Sequence, residues 1–195
     1  MEKLDKNYWN ERYVTNQMGW DIGEPSTPIR EYIDQLTDKN LRILIPGAGN
    51  AYEAEYLLEK GFTNVTILDF APEAIAHVAK RLAKYPLHHY HLLNEDFFKH
   101  VGLYDMIIEQ TFFCAIDPAL RLYYADKIYQ CLEKGGRWVG VLFNTDFENN
   151  PPFGGHEAEY RGIFSVLFDI QVMEEAYNSI EPRKGKELWV NARRK

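Results

Sequence analysis

Two glycines and an acid carry the first chemical signal in this chain. Gly47 and Gly49 stand in "IPGAGN", directly after the apolar run "LRILI", and Asp69 closes the next such run, "NVTILDF". Glycines between a strand and a helix let a ligand approach the backbone and the helix N-terminus. An acid about 20 residues further on, at the end of the second strand, can accept hydrogen bonds from ribose hydroxyls. Pro46 leads into the turn and Phe70 follows the acid, so both join the candidate wall of a nucleoside site.

Two ligands use such a site, a nicotinamide dinucleotide and S-adenosylmethionine. The third glycine of a GxGxxG turn would fall at Tyr52, where a side chain crowds the helix against a pyrophosphate. S-adenosylmethionine has no pyrophosphate and tolerates the loss. A second acid, Asp96 in "NEDFF", follows a third apolar run. It can take the adenine amino hydrogens while the backbone N–H of Phe97 serves a ring nitrogen and aromatic rings cover the base. Gln110, closing the fourth run "YDMIIEQ", completes the expected cofactor set. A NAD-dependent oxidoreductase and a non-catalytic S-adenosylmethionine-binding protein are the competing readings.

These residues need an alternating scaffold, and the sequence has one. Asp5 reads as the N-cap of a short helix to Tyr13, the Gly/Pro-rich "GWDIGEPSTP" as a linker, and a second helix runs to about Leu36. Strands are expected at "LRILIPG", "NVTILDF", "HHYHLL", "YDMIIEQ" and "RWVGVLF", with helices between them, one of these from Pro118 to Leu132. A helix near Glu157 to Phe164 precedes "FDIQVMEEAY" and "ELWVNARR", which the short "EPRKGK" must join as an antiparallel pair. The expected fold is α/β and Rossmann-like, a mostly parallel seven-stranded sheet with an antiparallel C-terminal strand, as in class I methyltransferases. Residues 1–37 read as an N-terminal helical lid and 41–195 as the core of a single domain.

Composition narrows the function. A chain of 195 residues, 46% apolar and 14% aromatic, can bury one sizeable core. A net charge of −7 disfavours nucleic acid and anionic membranes as partners, because nothing neutralises the phosphates. A small-molecule acceptor, a cytoplasmic location and a monomer or weak homodimer fit these features. Cys114 and Cys131 give neither a disulfide framework nor metal-ligand spacing, and both read as core. His88, His89 and His91 lack a completing ligand, so no metal is expected.

"NNPPFGG" contains Asn150-Pro151-Pro152-Phe153, the spelling by which amino-methylating enzymes grip an adenine, a cytosine or a glutamine side chain. In those enzymes it ends the fourth strand. Here "IIEQTFF" occupies that place and the tetrapeptide follows the fifth strand, so it does not indicate base methylation.

The segments "WNERY", "GWDIGEPSTP", "IPGAGNAYEAEYLLEKG", "EDFF", "EQTFFCAIDPALRLYYADKIYQCLEKGG" and "NPPFGGHEAEYRGIF" together resemble the thiopurine methyltransferase family over nearly the whole chain. The similarity is greatest to its thiol and halide branch. Two departures stand out: Ala48 replaces a common Cys, and "EQTFF" replaces an Asp-Tyr pair. The resemblance implies S-adenosylmethionine as donor, S-adenosylhomocysteine as product, and a small sulfur, selenium or halide acceptor. It also implies Trp9 and Trp20 around the cofactor and Arg121 near the acceptor, orienting an anion. Aromatic faces attract a sulfonium cation. Tyr13, Phe112, Phe113 and Phe153 are the expected aromatic lining of a pocket for a polarizable acceptor.

Overall fold

The computed structural model describes residues 4–195. Met1–Lys3, the first residues of the expected lid, lie outside that range. Strands β1 (Ile43–Pro46) and β2 (Val65–Asp69) are buried throughout, as expected of strands covered on both faces by helices. With β3 (Tyr90–Asn94), β4 (Tyr104–Gln110), β5 (Leu132–Phe143), β6 (Phe168–Glu175) and β7 (Glu187–Arg194), they form one seven-stranded sheet in the order β3-β2-β1-β4-β5-β7-β6. The pairings from β3 through β5 are parallel. β7 lies antiparallel to both β5 and β6. The expected α/β architecture and antiparallel C-terminal strand are therefore present.

Helices α1 (Lys6–Val14), α2 (Thr27–Asp34), α3 (Tyr52–Glu59), α4 (Pro72–Leu82), α5 (Phe112–Ala115), α6 (Arg121–Cys131) and α7 (Glu157–Phe164) cover the sheet. One core joins Ile29 and Ile33 of α2, Leu57 of α3 and Val78 of α4 to the side chains of β1 and β2. The opposite core packs Phe113, Tyr124 and Phe164 against Trp138 of β5. A third cluster seats Tyr13 on Ala71 and Ala74. Helix α1 starts where Asp5 accepts from Asn7 N and Tyr8 N, as its N-cap position demands. Its Asn10 accepts from Glu73 N at 2.9 Å, satisfying an otherwise orphan donor at the start of α4.

Four boundaries differ from the sequence reading. The helix expected from Pro118 begins as a 3-10 turn, Pro118–Leu120, because Asp117 accepts from Ala119 N at 2.9 Å. β5 pairs with β4 at Leu132, leaves residues 133–136 out, and resumes at Arg137, with Gly135 at φ +77° making the excursion. His88 and His89 lie in a 3-10 turn ahead of β3, so they share no strand face with His91. The fourth concerns the lid. Ile29 and Ile33 are fully buried in the core, so α2 belongs to the body and only the residues before it are free to act as a cover.

Candidate active site

The carboxyl ends of β1, β2 and β4 meet where the sheet order reverses direction, the place where open α/β sheets bind ligands. β1 leaves through Gly47 and Gly49, both at φ +55°, a conformation that favours glycine. A Cβ at Gly47 would overlap the Phe112 ring, and one at Gly49 would lie 3.3 Å from Tyr13 Oη and 3.9 Å from Trp20 Nε1. Missing side chains at these positions thus make room for aromatic rings of the protein itself as well as exposing backbone. Pro46 is buried at the entry to this turn.

Asp69 ends β2 beneath the turn. One carboxylate oxygen accepts from Gly49 N at 3.0 Å and the other from Ala71 N at 2.8 Å. Burial pushes its pKa up to about 6, partly opposed by these backbone donors. Asn94, closing β3, donates to the Asp69 carbonyl at 3.0 Å and fixes the two strand ends together. Phe70 packs, partly buried, against the cluster of Tyr13, Ala71 and Ala74.

Asp96 caps the turn after β3 by accepting from Phe98 N at 3.0 Å, and its side chain remains 38% exposed, with its other oxygen 3.9 Å from the exposed Lys99 ammonium. The Phe97 ring does not cover a base. It is buried in the core against Phe112 and Tyr124, at centroid distances of 5.5 and 5.7 Å, because an apolar ring there gains more than one left at the rim.

The segment before α2, expected as a lid, lies against this floor. Trp20 meets Trp9 and Tyr13 edge to face at 5.4 and 5.8 Å. Asp21 accepts from Asn50 Nδ2 at 2.5 Å and Tyr52 Oη at 3.2 Å, anchoring the linker to the glycine turn and to α3. Burial and the neighbouring Asp69 hold the Tyr13 hydroxyl far above its ordinary pKa, so it remains a donor.

Beyond Gln110, Thr111 turns at φ +58° into α5. Phe112 and Phe113 then point to different places. Phe112 stays half-buried over Gly47, whereas Phe113 is fully buried against Tyr124, Tyr160 and Phe164 and lines no pocket. Phe153 N donates to the Cys114 carbonyl at 2.6 Å, so the Pro-Pro loop after β5 reaches the segment after β4 through its backbone. Cys114 is buried, accepts from Phe143 N at 3.3 Å, and has its thiol pushed up to about 12 by burial.

Arg121 differs most from its expected role. Its side chain is only 5% exposed, donates to Glu159 at 2.7 Å and to the Gly154 carbonyl at 2.8 Å, and lies 4.9 Å from the Phe113 ring centroid. A guanidinium already paired and stacked is not a free anion holder. It ties α6 to α7 and to the Pro-Pro loop.

Gln110, expected at the site, is joined there by Glu53 and Glu109, which gave no sequence signal. Gln110, with its amide oriented to satisfy both neighbours, donates to Glu53 Oε1 at 3.2 Å and accepts from Arg183 Nη1 at 3.0 Å. Glu53 also accepts from Ser26 N at 3.1 Å, and its burial raises its pKa. Glu109, fully buried behind Gln110, accepts from Phe113 N at 2.9 Å and has its pKa pushed up to about 8 by burial. The one available clue was position: Glu53 opens α3 and Glu109 sits inside an apolar strand. Among the described residues no group of three or more His, Cys, Asp or Glu is placed to hold a metal, and no helix is long and apolar enough to cross a membrane.

Known proteins resemble this chain over nearly its whole length. "Probable thiol methyltransferase 2" of Arabidopsis thaliana is 27% identical over 192 residues, covering 96% of this chain and 84% of that protein. A thiopurine S-methyltransferase of Acinetobacter baylyi is 21% identical over 213 residues, covering 96% and 98%. Among solved structures, the 1,6-didemethyltoxoflavin-N1-methyltransferase of Burkholderia thailandensis, holding its substrate and S-adenosylhomocysteine, aligns with a TM-score of 0.75 at 19% identity, covering 98% of this chain and 87% of that one. The magnesium protoporphyrin IX methyltransferase of Synechocystis, with S-adenosylmethionine bound, gives 0.73 at 14% identity over the whole of both chains. These likenesses establish the fold. The sequence model of thiopurine S-methyltransferase matches residues 4–194, and on that match the chain belongs to the thiopurine S-methyltransferase family.

Proposed function

We propose that this S-adenosylmethionine-dependent methyltransferase methylates a small, soft nucleophile, a thiol or thiopurine first and a halide second. The observation that carries the reading is the seating of Tyr13 and Trp20 over Gly49, directly above the Asp69 carboxylate. The residues fit the donor. Asp69 and Asp96 would hold its ribose and adenine, the Gly47–Gly49 turn would admit it to the backbone, and Trp9 and Trp20 would cover its sulfonium. Bound there, S-adenosylmethionine supplies an electrophilic methyl on an already activated leaving group.

What remains for the chain is alignment and exclusion of water. A thiolate or halide needs no general base, and a weakly hydrated nucleophile loses little by entering an aromatic enclosure. Phe112 and Phe153 form its wall, with Gln110 at the edge. Arg121 contributes by setting the Pro-Pro loop rather than by touching the acceptor. The names of the plant and bacterial relatives, thiol, thiocyanate and thiopurine methyltransferases, support sulfur as the receiving atom. The net charge of −7 supports a protein that works in the cytoplasm, as a monomer or weak homodimer, without nucleic acid or membrane partners.

The test is a screen of thiols, thiopurines, iodide and bisulfide with a labelled methyl donor. Transfer to at least one is expected. Transfer only to nucleic acid, or tight S-adenosylhomocysteine binding with no transfer to any of them, overturns the proposal.

A further inference from the structure

We propose that Arg183 is a positioning residue that latches the aromatic lid to the end of β4 and so sets how long the cofactor stays bound. The proposal rests on the reading of this site as the S-adenosylmethionine pocket. Arg183 lies in the connection between β6 and β7, far in sequence from the lid and from β4 and β5, and four residues before Glu187. Its Nη2 donates to the Trp20 carbonyl at 2.7 Å, across 163 residues. Its Nη1 donates to Glu187 Oε1 at 3.1 Å and to the Gln110 amide oxygen at 3.0 Å. Its guanidinium carbon stands 5.3 Å from the Phe143 ring centroid. One side chain thereby joins the lid, the ends of β4 and β5, and the start of β7.

The surroundings make the latch stiff. The Arg183 side chain is 12% exposed and that of Glu187 3%, so the pair is held where water competes weakly. Through Gln110 the link continues to Glu53, which accepts from Ser26 N at the junction between lid linker and α2. Trp20 is therefore gripped at its carbonyl by Arg183 while its ring is set by Trp9 and Tyr13. Asp21, the next residue, is held by Asn50 and Tyr52. Of these ties, only the one through Arg183 connects the lid to β4, whose end borders the acceptor side. Its charge is neutralised by Glu187, so it acts by geometry and not as an anion receptor.

The experiment compares wild type, Arg183→Met and the double variant Arg183→Met/Glu187→Gln, the last removing the buried charge imbalance. Backbone hydrogen exchange of residues 14–26 is followed with and without S-adenosylhomocysteine, together with the ligand's dissociation rate. Both variants are expected to exchange about 10-fold faster in this segment and to release S-adenosylhomocysteine about 10-fold faster, the loss of one charge-assisted hydrogen bond. Exchange elsewhere in the sheet should be unchanged in the double variant. If the double variant regains wild-type protection, Arg183 serves only to balance Glu187 and the latch is overturned. Unaltered protection and release in both variants also overturns it. Wild-type protein without affinity for S-adenosylhomocysteine would instead overturn the cofactor reading, and with it the coupling.

Discussion

The backbone N–H of Gly49 donates to the Asp69 carboxylate at 3.0 Å, so the residue that frees the turn and the residue expected to meet the ribose are held as one unit. Asp69→Ala should weaken S-adenosylhomocysteine binding by roughly 2–3 kcal/mol, the range for lost charge-assisted hydrogen bonds, without unfolding the sheet. Calorimetric titration checks the affinity, and circular dichroism the fold. Undiminished affinity in a folded variant refutes the assignment.

The same carboxyl gives a pH signature. Its pKa, lifted to about 6 by burial, predicts that cofactor affinity falls as pH drops through that value and the acceptor for the ribose is lost. Stability moves the other way. The folded pKa lies above the ordinary carboxylate value near 4, so Asp69's contribution is fully present below about pH 4 and is lost as pH rises to about 6. Asp69→Asn should remove both slopes, as titrations at about pH 5 and about pH 7.5 would register.

Glu109 predicts a second window. Its pKa of about 8 means that the folded protein keeps a proton which the unfolded chain releases near pH 4. Stability contributed by this group is thus present at low pH and is lost as pH rises through about 8, at up to about 1.4 kcal/mol per pH unit. Glu109→Gln mimics the neutral acid and should flatten the fall in melting temperature between about pH 6 and about pH 9. Parallel pH profiles for wild type and variant would contradict the assignment.

Gly47→Ala should be severely damaging, because φ at 47 is +55° and the new methyl meets the Phe112 ring. Strain of about 1–2 kcal/mol adds to the overlap. Adding Phe112→Ala relieves the overlap alone, so the double variant should recover part of the lost melting temperature. A denaturation cycle of the four proteins measures this coupling, and strictly additive losses would show that the ring is not the obstacle.

Arg121→Ala should lower stability by about 1–3 kcal/mol through the lost bond to the Gly154 carbonyl and the uncovered Phe113 ring. Glu159 is half-exposed and can rehydrate, which limits the cost. Turnover should drop by about the same factor for neutral and anionic acceptors, since the guanidinium acts through the loop. Steady-state kinetics with a charged and an uncharged thiol decides. A loss confined to the anionic thiol would restore Arg121 as a direct partner of the acceptor.

Much of this architecture could be read from the chain because its signals are local. β1 is a continuous apolar run and β2 and β4 centre on apolar stretches, and Gly47, Gly49 and Asp69 obey a spacing set by one strand, one turn and one helix. What stayed hidden depends on partners far along the sequence. Arg183 looked like part of a polar turn because Trp20, Gln110 and Glu187 reach it only in the folded sheet. Phe112 and Phe113 are the same residue type side by side, and only the phase of the short helix α5 sends one over Gly47 and the other into the core. Phe113 and Arg121 were misjudged for a related reason. Residue type foretold an aromatic lining and a free cation, while packing against Tyr124 and pairing with Glu159 consumed both.

β7 separates β5 from β6, and among the described residues β6 pairs with no other strand. A chain growing on the ribosome can therefore lay down β1 to β5, yet must carry β6 unpaired and the edge of β5 open until residues 187–194 emerge. An open apolar edge such as Val139 to Phe143 is a template for pairing with other chains, which makes this interval the moment at which chaperones matter most. The cover around Trp20 is translated early and its tether at Arg183 late. The cover can thus seat on Asn50 and Tyr52 through Asp21 well before Arg183 fastens it to the end of β4.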